Sequence, residues 1–371
     1  MDVSSSGGFT QYTLYISALK PKFDIYKGKV AHWITNENTV LCSEGNRVVR
    51  NSLNQGTLEN DEVIFTSPSS LFDFNSLLKR VGRKGFHFLL KPEHRQEIIG
   101  VWNNKIFVWK DKFEVSPLNF RGSRPLNICY NPKDDCYYFG EYFSNQSREE
   151  VFVYRSSDGL EWEKTYTFSP GTIRHVHQIQ YDSIRGGMWI LTGDTNAESA
   201  IYFTDNGCKS MEKVFFGSQK ARAVSIIAEK DMLIIPSDTP LEQNAIREFN
   251  FTTKEINDVY TLPNSAFHTG TFGGDWEFVT TVAEPSRENN ESEAFIFIRK
   301  KGERWVELIR SKQDALSSVS KRFFRYPEFI PCGNLKNFKY LIFYCRGVSQ
   351  LNDSTIIFDL EDIIRYYHAI K

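Results

Sequence analysis

A repeated pattern of three strand-like segments constrains the fold of this chain more than any other feature. The pattern recurs from about residue 121. In each copy the first apolar segment begins at an arginine or a histidine, and the second ends at a polar or charged residue before a third follows. The second segments end at Glu141, Asp194, Asp238, Glu284 and Arg346, which lie 53, 44, 46 and 62 residues apart. A period of about 45 residues fits four antiparallel strands and their turns, the repeat of a propeller blade.

Segments upstream of these copies complete the predicted fold. GFHFLLKP, EIIGVWNN and KIFVWKDKFEV are typical of one further blade, and residues 31–67 indicate a weaker first blade. The sequence therefore predicts an all-β chain, a single β-propeller domain over residues 1–371 with six or seven four-stranded antiparallel blades. Residues 70–81 predict a short helical insertion, and LEDIIRYYHAIK predicts a C-terminal helix. TQYTLYIS near the N-terminus is the candidate strand that completes the last blade.

The charge balance and the cysteine pattern restrict the classes of partner and the location. The chain has 45 basic and 46 acidic side chains, whereas nucleic-acid binding normally needs a basic excess, so we expect no nucleic-acid partner. No apolar run is long enough to span a bilayer, so we expect no membrane partner. The N-terminus shows no secretory pattern, and the six cysteines are dispersed, which together predict a cytoplasmic location. The sequence does not indicate whether the chain is a monomer or an oligomer.

Two predicted hairpin turns carry a compact motif with a glycine and a following large apolar residue, at residues 156–162 (SSDGLEW) and 204–211 (TDNGCKSM). This motif resembles the Asp-box, or BNR repeat, of sialidase-type propellers. Between about residues 80 and 345 the ordered phrases RGSRP, FGEYF, RHVHQIQYD, LTGD, ARAVSI, SDTP and TTVAEPS resemble uncharacterised prokaryotic BNR-repeat proteins. The resemblance implies a sialidase-like propeller with glycoside hydrolase activity or carbohydrate binding. It also implies a tyrosine nucleophile, for which Tyr142 and Tyr326 are the nearest candidates.

The repeat also predicts the position of a site. The first two strands of a blade run antiparallel, so the start of the first and the end of the second lie on one face, near the central channel. Charged residues occupy these positions. The candidate substrate-binding residues are Arg124, Arg174, Arg222, His268, Glu284, Arg325 and Arg346. The candidate catalytic residues are Glu141, Asp194, Asp238 and His177. Because arginine forks suit carboxylates and carboxylates suit sugar hydroxyls, we expect an acidic sugar or glycan at the channel mouth.

These charges allow two kinds of function. In an enzyme, Arg124, Arg174 and Arg222 would hold a sugar carboxylate while the carboxyl groups catalyse hydrolysis or His177 acts as the base of a lyase. In a non-catalytic scaffold, the charges would pair with each other and the loops would bind glycans or proteins. We expect no cofactor. The alternative is a divalent metal at His175 and His177, because residues two apart in a strand project to the same side.

Overall fold

The computed structural model describes residues 21–36, 38–68, 80–284, 292–320 and 326–371. These residues form seven four-stranded sheets whose paired strands are antiparallel. The fold is therefore all-β, a seven-bladed β-propeller with a few short helices. Seven is the larger of the two blade numbers that the repeat allowed. Among the described residues, no helix is long and apolar enough to cross a membrane, and the cytoplasmic location stays a prediction.

The first nine strands provide the first and second sheets and one strand of the seventh sheet. They are β1 (Asp24–Lys27), β2 (Val30–Asn36), β3 (Thr39–Glu44), β4 (Arg47–Asn54), β5 (Thr57–Thr66), β6 (Phe86–Leu90), β7 (Ile98–Trp102), β8 (Lys105–Trp109) and β9 (Phe113–Val115). Strands β2–β5 form the first sheet in sequence order, and β6–β9 form the second.

The next twelve strands form three sheets, each again in sequence order. The third sheet contains β10 (Cys129–Asn131), β11 (Cys136–Gly140), β12 (Val151–Ser156) and β13 (Glu163–Phe168). The fourth contains β14 (Val176–Asp182), β15 (Gly187–Thr192), β16 (Ala200–Thr204) and β17 (Glu212–Phe216). The fifth contains β18 (Ile227–Ala228), β19 (Met232–Pro236), β20 (Ala245–Asn250) and β21 (Ile256–Thr261).

The last seven strands complete the sixth and seventh sheets. They are β22 (Ala266–Phe272), β23 (Trp276–Thr281), β24 (Glu293–Lys300), β25 (Val306–Lys312), β26 (Glu328–Pro331), β27 (Tyr340–Arg346) and β28 (Ser354–Asp359). Strand β1 pairs with β28 and supplies the outer strand of the seventh sheet. This part of the chain also contains two α-helices, α1 (Ala315–Val319) between β25 and β26 and α2 (Leu360–Ile370) after β28. Helix α2 confirms the predicted C-terminal helix.

The contacts within the chain divide it into two compact units. The first unit contains the described residues of Met1–Gly85, His268–Glu284 and Asn290–Lys371, and the second contains Phe86–Phe267. The second, third, fourth and fifth sheets thus belong to the second unit. That the whole chain is a single domain stays a prediction.

The burial of a strand depends on its position in the sheet, as a comparison of β15 with β17 in the fourth sheet shows. Every residue of β15 is buried, whereas the outer strand β17 has no buried residue. Facing sheets bury the second strand on both sides, so it is almost continuously apolar. Between the third and fourth sheets, Tyr138, Ile179 and Ile190 belong to one apolar cluster. This packing fixes the strand ends, where the predicted site residues lie.

Several sequence predictions fall at element boundaries or outside the described residues. The predicted closing strand TQYTLYIS lies outside them, and the strand observed to complete the last sheet is β1. Most of the predicted helical insertion, residues 69–79, also lies outside them, whereas residues 80–82 are helical. Arg325 is likewise not described. His268 lies two residues inside β22 instead of at its start, because the strand already begins at Ala266.

Candidate functional site

The start of β14 in the second unit brings two histidines together. The ladder between β14 and β15 shifts register between Val176 and Gln178, so His177 lies in a bulge, and His175 directly precedes the strand. A bulge bends a strand and changes the direction of its side chains. Both imidazoles are buried, and their ring centroids lie 5.1 Å apart.

Backbone carbonyls select the tautomer of each histidine. Nδ1 of His175 lies 3.1 Å from the carbonyl oxygen of Phe143, and Nδ1 of His177 lies 3.0 Å from that of Ala223. A carbonyl oxygen can only accept a hydrogen bond, so each Nδ1 carries a hydrogen, and in the neutral form of either ring Nε2 carries the lone pair. Burial, together with the neighbouring His177, lowers the pKa of His175 to about 4. His175 is therefore neutral at physiological pH.

The Nε2 atoms of both histidines face one carboxylate. Nε2 of His175 lies 3.7 Å from Oδ2 of Asp194, and Nε2 of His177 lies 3.9 Å from its Oδ1. Among the described residues, the buried Nε2 of His175 has no hydrogen-bond partner. Two imidazole nitrogens and one carboxylate thus converge, and their ligand atoms all lie within 4.8 Å of one another.

The loop after β15 places Asp194 in this position. Gly193 follows the strand, and a Cβ atom there would lie only 2.4 Å from Cε1 of His177, so the close approach of the ring requires glycine. Asp194 has a φ of 95°, in the left-handed region that residues other than glycine rarely adopt. Its backbone carbonyl accepts hydrogen bonds from Gln219 Nε2 at 3.1 Å and Arg222 Nη1 at 3.0 Å. Neighbouring residues therefore hold the aspartate in an unfavourable conformation.

Two arginines complete what we call the His–Arg cluster, defined as Arg174, His175, His177, Asp194 and Arg222. Arg174 Nη1 donates to Asp194 Oδ2 at 2.9 Å, and Arg222 Nη2 lies 3.4 Å from its Oδ1. Burial alone would raise the pKa of Asp194, but its neighbours, the guanidinium of Arg222 among them, hold it well below its usual range. The aspartate is therefore ionised, and two guanidinium groups share its single negative charge.

A second carboxyl group, that of Asp238, lies beside this cluster. Its Oδ2 is 3.5 Å from Arg222 Nε, and its backbone N–H donates to the Arg222 carbonyl at 3.1 Å. Burial raises the pKa of Asp238, although Arg222 opposes the shift. Asp238 thus forms an ion pair with Arg222, whereas Asp194 contacts both arginines. The structure thus brings together Arg174, Arg222, Asp194, Asp238 and His177 from the predicted set.

An aromatic side chain borders the cluster. The ring of the half-buried Tyr142 lies with its centroid 4.1 Å from that of His175 and 6.4 Å from that of His177. The resemblance to sialidases had made Tyr142 a candidate nucleophile, and that role stays a prediction. Its observed contact shows that the segment after β11 packs against the two histidines.

Glu141 lies at the corresponding end of β11 but makes a different set of contacts. Its Oε1 accepts from Arg121 Nε at 3.1 Å, and its Oε2 accepts from the backbone N–H of Phe152 at 3.0 Å. The Glu141 side chain is 1% exposed, so both oxygens are buried and engaged. Arg124 is half-buried in the segment that precedes β10. The catalytic role predicted for Glu141 stays a prediction.

Three of the remaining predicted residues are described in the first unit. Nε2 of His268 lies 3.4 Å from Oε2 of Glu328, and Arg346 Nε donates to its Oε1 at 2.8 Å. Although burial alone would raise the pKa of Glu328, Arg346 and His268 lower it to about 2. Glu284 follows β23 and contributes to the raised pKa of Tyr326, which is due mainly to burial. Glu328, Arg346 and His268 thus form a buried ion pair with a flanking histidine.

Two partners in these ion pairs were not predicted from the sequence. Glu328 begins β26 and Arg346 ends β27, so the rule that joins the start of the first strand to the end of the second would have found the pair. Arg121 is harder to find, because it lies three residues from Arg124 in an irregular segment. No periodic signal in that segment distinguishes the two arginines.

Comparison with known proteins supports the fold alone. No protein-family model and no curated protein sequence matches this chain. Among solved structures, that of an oligogalacturonate lyase in complex with manganese has a TM-score of 0.59 at 10% identity, covering 95% of this chain and 96% of that chain. The kinship with Asp-box proteins is thus not confirmed by a family match.

Two further solved structures belong to proteins of unrelated function. A prolyl endopeptidase structure has a TM-score of 0.52 at 9% identity and covers 86% of this chain and 46% of its own. A structure of the mitotic checkpoint complex has a TM-score of 0.51 at 9% identity and covers 97% and 96%. Because these three neighbours differ so widely in function, the fold does not identify an activity, and the side chains of the site must do so.

Proposed function

We propose that the His–Arg cluster binds the carboxylate of an acidic sugar. The observation that carries this proposal is the charge balance of the cluster, in which two guanidinium groups share one firmly ionised carboxylate. Asp238 lies 3.5 Å from Arg222 Nε, so among the described residues Arg174 shares Asp194 and has no carboxylate of its own. The Arg174 side chain is 31% exposed and thus reachable by a ligand. A planar guanidinium suits a carboxylate better than a sugar hydroxyl.

The contacts of the carboxyl groups favour elimination over hydrolysis as the reaction. Glycoside hydrolysis normally needs two carboxyl groups that flank the scissile bond. In this unit Glu141 and Asp194 are held by arginines, and Asp238 is 4% exposed. In elimination, a base, for which Tyr142 beside the two histidines is the candidate in this cluster, removes the proton α to the sugar carboxylate, and the electron pair forms a C4–C5 double bond. The C4–O bond then breaks, and the departing oxygen takes a proton. Cationic groups around the carboxylate stabilise the charge that develops during this step.

One structural neighbour provides a suitable probe for this proposal. That neighbour is an oligogalacturonate lyase in complex with manganese, and oligogalacturonate is an acidic sugar oligomer. At 10% identity this supports only the choice of ligand to try first. Galacturonate and galactose form a matched pair, because they differ at a single carboxylate.

The proposal is tested by titration calorimetry with galacturonate, oligogalacturonate and galactose on the wild type, Arg174→Ala and Arg155→Ala. Arg155 is the matched control, because its side chain is 34% exposed and pairs with Glu163 away from the cluster. We expect both uronates to bind and galactose not to bind. Loss of a charge-assisted hydrogen bond should weaken uronate binding roughly 10- to 100-fold in Arg174→Ala and leave Arg155→Ala unchanged.

Two results would overturn the proposal. Equal binding of galacturonate and galactose would show that the carboxylate is not recognised, and binding of neither sugar by the folded protein would favour the scaffold alternative. Elimination is followed separately, by the ultraviolet absorbance of the double bond conjugated to the carboxylate. Oligogalacturonate that binds without this absorbance would leave recognition intact and remove the assignment as a lyase.

A further inference from the structure

We infer that a divalent transition-metal ion binds between Nε2 of His175, Nε2 of His177 and the carboxylate of Asp194. The two histidine-to-carboxylate distances are 3.7 and 3.9 Å. An ion about 2.1 Å from each ligand atom in tetrahedral geometry would hold those atoms roughly 3.4 Å apart. The two histidine-to-carboxylate distances therefore need to contract by only about 0.3 to 0.5 Å to coordinate such an ion, and all three ligand atoms lie within 4.8 Å of one another.

The surroundings of both histidines are those of metal ligands. A ligating histidine typically donates its other ring N–H to a carbonyl or a carboxylate, which fixes the ring and makes the ligating nitrogen more basic. Here Nδ1 of His175 and Nδ1 of His177 are both fixed on backbone carbonyls, those of Phe143 and Ala223. The side chains of the two histidines are only 7% and 4% exposed. The cost of burying an imidazole nitrogen without a partner, as at Nε2 of His175, is removed when it coordinates a cation.

The ligand types determine which ions fit the site. Two imidazole nitrogens and one carboxylate favour Zn²⁺, Ni²⁺ and Co²⁺, whereas Mg²⁺ and Ca²⁺ prefer sites made of oxygen atoms. Among the described residues, these three side chains are the group whose geometry suits a metal ion. We therefore expect Ni²⁺ and Zn²⁺ to bind more tightly than Mn²⁺, and Ca²⁺ to bind most weakly.

Arg174 and Arg222 oppose this ion, because both lie on the same carboxylate. The metal site extends the proposed function, and only the coupling between the ion and the sugar rests on that function. When a sugar carboxylate neutralises an arginine, the repulsion between that arginine and the ion falls. The ion and the acidic sugar should accordingly bind with positive coupling, and the protein alone should bind the ion less tightly than its ligand set would otherwise allow.

The test is titration calorimetry of Ni²⁺ into chelator-treated full-length protein without any sugar. We expect one ion per chain, with affinity reduced roughly tenfold or more by His175→Gln and by Asp194→Asn. His32→Gln is the control, since His32 is also buried but its Nε2 lies 2.8 Å from Ser43 Oγ in the first unit. Arg174→Ala should instead bind Ni²⁺ more tightly than the wild type, a gain that a purely structural role of this residue would not produce.

A spectroscopic measurement covers the case in which a ligand variant fails to fold. Co²⁺ added to the wild-type protein should give visible absorption bands of a protein-bound ion, and Zn²⁺ should remove them. Absence of these bands together with absence of Ni²⁺ binding in the wild type would overturn the inference, as would full Ni²⁺ affinity in a folded Asp194→Asn protein. If uronates still bind in that event, only the metal site is wrong. If Ni²⁺ binds and no uronate does, the proposed function is wrong and the metal site remains.

Discussion

Gly193 gives the sharpest prediction, because replacing its hydrogen with one methyl group should displace a ligand of the inferred metal site. A Cβ atom at this position would lie 2.4 Å from Cε1 and 3.1 Å from Nδ1 of His177. Ordinary contact distances require the ring to move by about 1 Å, and such a displacement at a binding group costs up to about 100-fold. We therefore expect Gly193→Ala to lower Ni²⁺ affinity roughly 10- to 100-fold and stability by about 1 to 3 kcal/mol.

The matched control for this variant lies at the other end of the same strand. Gly187 begins β15, and a Cβ atom there would lie 2.4 Å from Cζ of Phe203 and 2.5 Å from the Thr204 carbonyl oxygen. Gly187→Ala should therefore cost comparable stability and leave Ni²⁺ affinity unchanged. Chemical denaturation measures the stability of both variants, and calorimetry measures their Ni²⁺ affinity. Equal affinities for the two variants would refute the argument that Gly193 gives His177 the room it needs.

Three further predictions concern stability. The pKa of Glu328, held at about 2 in the folded protein against about 4.5 when unfolded, implies stability that is present above pH 4.5 and lost as the pH falls toward 2. This loss is on the order of 3 kcal/mol, and urea denaturation across this range should show a shallower pH dependence for Glu328→Gln than for the wild type. Ile190→Ala removes a fully buried side chain and should lower the free energy of unfolding by about 2 to 5 kcal/mol; a change below 1 kcal/mol would contradict the packing described for this cluster. Asp158→Ala removes the acceptor for the backbone N–H groups of Leu160 and Glu161 and should cost about 1 to 2 kcal/mol, with unchanged Ni²⁺ affinity as its check.

The fold was predictable because its signal repeats along the chain. The third to seventh sheets each have an apolar second strand with a charged residue at or just after its end, so each copy supports the interpretation of the others. The closing strand could not be found in this way, because β1 is a single four-residue segment, DIYK, whose partner β28 lies at the other end of the sequence. Its short mixed pattern has no period from which a pairing could be inferred.

The candidate site was predictable in its position and less so in its chemistry. The rule of strand ends predicts that Arg174 and Asp194 lie on the same face, and antiparallel pairing of β14 with β15 does bring them into contact. The convergence of both histidines on Asp194 depends on the bulge at His177 and the positive φ of Asp194, which are features of backbone geometry. The choice of Arg121 as the partner of Glu141 depends on a loop path, which local sequence does not encode.

We expect the His–Arg cluster to bind an acidic sugar and a divalent ion together. The most direct test is the Ni²⁺ affinity of the wild-type protein measured by calorimetry with and without saturating galacturonate. Galacturonate should tighten Ni²⁺ binding by about fivefold or more, and Arg174→Ala should lose most of this gain. Chelation of Ni²⁺ by free galacturonate acts in the opposite direction, so it cannot imitate the effect. Once the titration is corrected for that chelation, an unchanged or weakened Ni²⁺ affinity in the presence of bound galacturonate would contradict this expectation.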